Sequence, residues 1–280
     1  MTKSNLIENI LLELKHDFYH SKVKNTYKLL LNKLKDKRGI SDSISKRRVL
    51  LSRQLNEAFN GTVRYGPFRG LKFSTDSWWG ESDRANMLLG LYEQEILTSL
   101  ENIPTRYKTF IDLGAADGYY GIGVLINDMF ERSYCFEISE TGQGIINRNA
   151  ILNGVSDRVN IMGIAEKDFY TQLPQHEPEQ SVLFVDIEGG EFDLFDKALF
   201  NTFCKSIIFI ELHDWVKDGD EKIKKLKQDA EDHFSITELT TGARDLSKFE
   251  ELKQMSDTDR WLICSEGRPR LMTWLRLDPL

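Results

Sequence analysis

Three cysteines, Cys135, Cys204 and Cys264, are all that 280 residues contain. They lie far apart, each in an apolar run. That is not zinc-ligand spacing, and an odd count does not suggest a disulfide framework. Buried thiols in a reducing, cytoplasmic setting are the expectation. Long apolar runs are also missing: no segment approaches the roughly 18 residues of a membrane span. The N-terminus lacks the basic, apolar, small order of a secretion signal. Nor is there a basic surplus. The net charge is −7, unevenly spread: residues 1–60 hold 13 Lys+Arg against 6 Asp+Glu, which leaves 24 against 38 for the rest. Phosphate neutralisation calls for a basic surface near the active site, so the acidic body argues against nucleic acid and no nucleic-acid partner is expected. The basic arm reads as a solvated helical face, or as a contact for anionic lipid or an acidic partner.

With 40% hydrophobic and 29% charged residues the composition is that of a globular protein. Three regions are expected: a helical N-terminal extension (1–60), a small strand and helix lead-in (61–104) and a larger α/β domain (105–280). In the extension, Ile7, Leu11, Leu14 and Phe18 share one helical face, and Leu30, Leu31 and Leu34 repeat it. Such a stripe must fold back, pair with a partner or lie on a membrane. Packing within the protein, or a homodimer through these helices, is the preferred outcome. The polar run 35–48 reads as a linker. In the lead-in, short strands are expected over 62–80 around Gly66, Pro67 and Gly70, with Trp78 and Trp79 in a loop, and a helix over 84–100 capped by Asp83.

From residue 107 strand and helix alternate. YKTFIDLG, SYCFEI, RVNIMGIA, SVLFVDIEGG and SIIFIELHDW read as strands. GIGVLINDMF, TGQGIINRNAILNG (ending on Gly154), EFDLFDKALFNTF and 220–232 read as helices. FSITELTT and RWLICSE close the series. Strands with continuous apolar character are buried on both faces, which implies βαβ crossovers and a Rossmann-like, doubly wound, mostly parallel sheet.

Asp112-Leu-Gly-Ala-Ala-Asp-Gly118 follows the first strand and opens a helix. Its glycines permit a tight turn and close ligand approach. The G-x-G-x-x-G dinucleotide spacing and a Gly-Lys-Ser/Thr phosphate loop are both absent. Asp112 would repel a pyrophosphate but welcome a cationic amino-acid tail. Glu137 ends the second strand, about twenty residues on, where a carboxylate accepts hydrogen bonds from ribose hydroxyls. Together these point to S-adenosylmethionine.

FIDLGAADGYYGIG, CFEIS, NAILNGVSDRV, VDIEGGEFDLF and IELH, with GLYEQEI before them, resemble FkbM-type methyltransferases over about 107–215. These are class I S-adenosylmethionine-dependent enzymes, many of them sugar or natural-product O-methyltransferases. The resemblance implies that Asp112, Gly114, Ala115, Ala116 and Gly118 border the methionine part of the cofactor. Glu137 and Ile138 would meet the ribose side, and Ala165 and Glu166 the adenine. Asp186 would face the reacting methyl. Asp117 stands where many relatives have asparagine, so its role is left open.

Methyl transfer to a hydroxyl is an in-line displacement that also needs a proton acceptor. The candidates are Asp186, Glu188 and His213, the last for its neutral-range pKa at a strand end. Asp186, Glu188, Glu211 and Asp214 are also placed to share a divalent cation. Strand-end position does not ensure convergence, so no metal is expected. Glu191 reads as a helix-opening acid. The Asn/Asp-Pro-Pro-Tyr/Phe loop of amino-group methylation is missing, as is a cysteine at the fourth strand, so oxygen is the expected acceptor, on a sugar, glycan or other small molecule. Trp78 and Trp79 are candidates to stack on it. The competing reading is a non-catalytic adapter with a methyltransferase-like fold, which would lack cofactor binding. A nicotinamide-dependent reductase is disfavoured by the glycine spacing.

Overall fold

The computed structural model describes residues 43–280 apart from His176, Gln180 and Pro269. The helical stripe of residues 4–36, and the homodimer expected through it, lie outside the described residues. Arg47–Leu280 forms one compact unit. Helix α1 (Ser43–Phe59) occupies the end of the stretch read as a linker. It buries Leu51, Leu55 and Phe59, and this apolar spacing holds a helix despite the polar residues before it.

The sheet has seven strands: β1 (Thr109–Leu113), β2 (Arg132–Phe136), β3 (Val159–Met162), β4 (Ser181–Val185), β5 (Ile207–Glu211), β6 (Phe234–Thr240) and β7 (Thr273–Pro279). Their order is β3-β2-β1-β4-β5-β7-β6. The first five are parallel, and β7 runs antiparallel to both β5 and β6. The doubly wound, mostly parallel α/β sheet expected from the sequence is present. Alternate residues of each central strand enter two separate cores. Phe110, Phe184 and Phe209 pack on one face with Ile122, Val124 and Ile146. Ile111, Leu113, Val185 and Ile210 pack on the other with Leu199, Phe200 and Leu226. This two-sided burial explains the unbroken apolar runs.

The helices on the sheet are α4 (Tyr119–Ile126), α5 (Glu140–Leu152), α6 (Glu191–Leu194), α7 (Lys197–Thr202) and α8 (Gly219–Ala230). Gly154 terminates α5 with a positive φ of 69°, as its position after the last turn suggests.

Five local expectations need correction. The lead-in strands shrink to one antiparallel bridge, Thr62↔Lys72. The helix expected over 84–100 is two, α2 (Arg84–Leu88) and α3 (Gln94–Glu101). Between them Gly90 adopts φ 63°, and a Cβ there would lie 2.5 Å from the Tyr65 carbonyl oxygen. Crossing backbone, not propensity, breaks that helix. Asp83 precedes α2 but does not cap it, since its carboxylate accepts from Arg48 at 2.8 Å. The helix expected over 191–203 breaks at Phe195–Asp196, where the Asp196 carboxylate caps α7. RWLICSE, grouped with the strands, instead ends helix α9 (Asp257–Ile263), whose start is capped by Ser256. The strand that completes the sheet is β7, to which the sequence pattern assigns nothing.

Candidate functional site

The strand order reverses between β1 and β4, where ligands of open α/β sheets bind beyond the carboxyl ends of the strands. The glycine loop leaves β1 there. Gly114 has φ 93°, and a Cβ on it would sit 1.9 Å from the Asp186 carbonyl oxygen at the end of β4. Glycine is therefore required by the backbone contact itself. Of the loop, Gly114 and Ala116 are half-buried, whereas Asp112, Ala115, Asp117 and Gly118 are buried. The buried members hold the loop's shape. Asp112 Oδ2 accepts from the Gly121 N–H at 3.0 Å. Burial pushes its carboxyl up to about 8, against the pull of that bond and with Asp186, Glu137 and Glu93 adding to the rise.

Glu137 lies at the end of β2 and ties the two loops together. Its Oε2 accepts from the Ala116 N–H at 2.9 Å and its Oε1 from the Ser139 N–H at 2.7 Å. Gly142 makes room for it: a Cβ there would come 2.7 Å from Glu137 Cγ. Ile138 and Ile164 come two residues after the last paired residues of β2 and β3, and both are exposed. Ala165 is half-buried and Glu166 exposed at the same edge.

Asp117 has a clear task. Its carboxylate accepts from Ser77 Oγ at 2.5 Å and from the Trp78 and Trp79 N–H groups at 2.7 and 3.2 Å, with Arg84 at 3.6 Å. It fastens the tryptophan loop over the glycine loop. Asn149 of α5 secures the same junction, donating to the Asp117 carbonyl and accepting from the Ser74 N–H. Asp117→Ala is expected to cost roughly 2–4 kcal/mol, since several half-buried donors and the buried Arg84 lose their acceptor together. Denaturant unfolding with tryptophan quenching checks this. Unchanged stability and unchanged quenching would show that the loop is held by something else.

A cavity of about 150 Å³ opens at the ends of β4 and β5, with Trp79 and Trp215 on its walls. Asp186, Glu188, Glu211 and His213 line it together with Glu266 and Arg268. The structure thus brings together the three residues expected to serve the chemistry, Asp186, Glu188 and His213. Glu188 is exposed, in a left-handed turn with φ 57°. Asp214 points elsewhere and pairs with Arg270 at 2.8 Å.

His213 is buried and its Nδ1 lies 3.0 Å from Glu191 Oε1. Glu191 opens α6, as the sequence suggests. It is completely buried, and it also accepts from the His213 N–H at 3.1 Å and the Gly189 N–H at 2.9 Å. Burial opposes charge on the ring, but the bond to Glu191 and the charges of Glu191, Asp186 and Glu188 outweigh it and lift His213 to about 9. At neutral pH the ring is a cation, not the neutral base its ordinary pKa suggests.

The sequence reading missed the acid–arginine cluster beneath the cavity. Arg268 donates to Glu211 Oε1 at 2.5 Å, to Glu266 at 2.9 Å and to Glu93. Glu93 also accepts from Tyr120 Oη at 2.7 Å. Burial pushes Glu93 up to about 8 although Arg268 opposes it. Burial likewise holds Glu211 well above the usual carboxylate range. Glu93 belongs to the GLYEQEI lead-in, so that segment carried a signal. Arg268 and Glu266 lie in a stretch with no pattern of its own.

No family model matches the chain, and no curated protein sequence matches it. Solved structures of similar fold include M. capricolum TrmK in complex with S-adenosyl-homocysteine (11% identity, 67% of this chain and 68% of that chain, TM-score 0.43). Sp1610 of Streptococcus pneumoniae in complex with S-adenosyl-L-methionine is another (11% identity, 67% and 72% covered, TM-score 0.45). A third is the B. subtilis tRNA methyltransferase TrmK (9% identity, 67% and 66% covered, TM-score 0.45). The expectation of no nucleic-acid partner is withdrawn on this finding: a structure similar in fold acts on tRNA. Net charge summed over a chain does not describe the surface that a substrate meets. Among the described residues, no helix is long and apolar enough to cross a membrane.

Proposed function

We propose that this chain is an S-adenosylmethionine-dependent methyltransferase, and that the acceptor atom is an oxygen presented from the Trp79–Trp215 cavity. One observation carries the reading: Glu137 joins the loops after β1 and β2 at the carboxyl ends of the parallel strands. A carboxylate is the acceptor that ribose hydroxyls require. Ile138 and Ile164 offer apolar surface to a purine, with Ala165 and Glu166 alongside. Gly114 and Ala116 let the methionine part approach the backbone, and Asp112 beneath them would give up its proton as a cation settles nearby. Asp186, at the end of β4, stands between this crevice and the acceptor cavity. The FkbM-type assignment rests on the residues quoted for it and is part of this proposal.

In the transfer, an oxygen lone pair forms the bond to the methyl carbon while the carbon–sulfur bond breaks. The sulfonium becomes a neutral thioether, and the acceptor proton passes to a carboxylate of the cavity, Asp186 or Glu188. His213, already charged, holds negative charge in place beside Asp186. The cavity's surplus of carboxylates favours the cationic sulfonium. Alignment by the two walls supplies the entropic part of the rate.

Calorimetry tests the reading. S-adenosyl-homocysteine should bind the wild-type protein, and Glu137→Ala should weaken binding by something on the order of 1–3 kcal/mol, the loss of charge-assisted hydrogen bonds. An adapter without catalysis would bind neither cofactor nor product, and that result on the wild type would end the proposal. Incubation with labelled cofactor and extracts of the source organism identifies the acceptor.

A further inference from the structure

We infer that Asp186, Glu211 and His213 form a binding site for a first-row divalent cation at the floor of the cavity. β4 and β5 run parallel with Val185 opposite Ile210, so Asp186 and Glu211 come one residue beyond the last pair, side by side. His213 follows two residues later. Each of the three offers one ligand atom, and these atoms all lie within 4.8 Å of one another.

The separations of His213 from the two carboxylates fit an ion better than direct hydrogen bonds. His213 Nε2 is 3.6 Å from Asp186 Oδ1 and 3.5 Å from Glu211 Oε2, longer than good N–H···O bonds. Ligands on a tetrahedral ion with bonds of about 2.1 Å stand about 3.4 Å apart. Asp186 Oδ1 is buried without a hydrogen bond, and it faces Nε2 of a histidine side chain only 2% exposed.

The surroundings direct these atoms inward. Glu191 takes His213 Nδ1, which fixes the ring and leaves Nε2 toward the two carboxylates. A carboxylate behind a ligating histidine is the usual support of a metal site. Arg268 takes Oε1 of Glu211 and leaves Oε2 to the site. Charge points the same way: Asp186, Glu188 and Glu191 surround His213, and Glu93, Glu211 and Glu266 gather on Arg268. A dication restores balance, and its binding displaces the proton from Nε2. One imidazole nitrogen with two carboxylate oxygens suits Mn²⁺, Fe²⁺, Co²⁺ or Zn²⁺ better than Mg²⁺ or Ca²⁺, which favour all-oxygen shells. The remaining coordination positions open on the cavity. That the ion there receives the acceptor oxygen rests on the methyltransferase reading, whereas ion binding itself does not.

The full-length protein is treated with chelator, desalted and titrated calorimetrically with MnCl₂ and ZnCl₂. S-adenosyl-homocysteine binding and circular dichroism are measured on the same samples. One equivalent should bind. Glu211→Gln and His213→Ala should weaken it more than 100-fold, and Glu191→Gln 10–100-fold through the ring it supports. If His213→Ala does not fold, Asp186→Asn takes its place. No stoichiometric binding to the wild type, equal affinity in folded ligand variants, or a preference for Mg²⁺ over Mn²⁺ overturns the site. Metal binding without cofactor binding leaves the site standing and removes the methyltransferase reading instead.

Discussion

Glu191→Ala is expected to destabilise the protein by roughly 3–5 kcal/mol, the range for removing one partner of a buried ion pair. Glu191 has no exposed surface and accepts from the Gly189 N–H, the His213 N–H and His213 Nδ1. Alanine leaves all three donors, two of them buried and one charged, without an acceptor. The pH dependence makes the cause specific. His213 is lifted from 6.5 to about 9, so its stabilisation is fully present below about pH 6.5 and is lost as pH rises through 9. Glu191→Gln keeps the shape and one acceptor oxygen but removes the charge. In metal-free buffer the stability gap between wild type and Glu191→Gln should therefore be widest near pH 6 and narrow by pH 10. Urea unfolding at a series of pH values measures it. A gap that does not change with pH would mean that the ring is not held as a cation by this carboxylate.

Gly114→Ala should be as damaging, and for a different reason. The new methyl would lie 1.9 Å from the Asp186 carbonyl oxygen, and φ 93° is itself unfavourable for alanine. Neither side of the contact is a flexible side chain: β1 and β4 are paired along their length from Thr109↔Ser181 to Leu113↔Val185. Relief requires the β4 end to move, with Asp186 on it. A loss of roughly 3–5 kcal/mol is expected, together with loss of S-adenosyl-homocysteine binding. Thermal unfolding and calorimetry read the two effects. A variant with normal stability and normal binding would show that the loop and strand are not locked as described.

The glycine loop was legible because its pattern is local. Asp112–Gly118 sits between a strand and a helix that declare themselves by apolar run and periodicity, and Glu137 marks the end of the next strand. The five parallel strands could be read for the same reason: burial on both faces leaves continuous Ile, Val and Phe. What the pattern could not supply were contacts between distant segments. Gly90 divides a helix because Tyr65 crosses it, and Asp117 looks like part of the cofactor loop but serves Ser77, Trp78 and Trp79. β7 gave no signal at all, since a reversed strand inserted between two others is recognised only by its partners.

The sequence by itself determined the α/β alternation, the glycine loop after the first strand and the acidic residues at the strand ends, because each depends on residues near one another in the chain. Only the tertiary structure decided the charge state of His213, the role of Glu191 and the placing of Arg268 against Glu93 and Glu211. Those properties come from burial and from charges 22, 175 and 57 residues apart along the chain. Coulomb energy and desolvation depend on separation in space, and separation in sequence carries no measure of it.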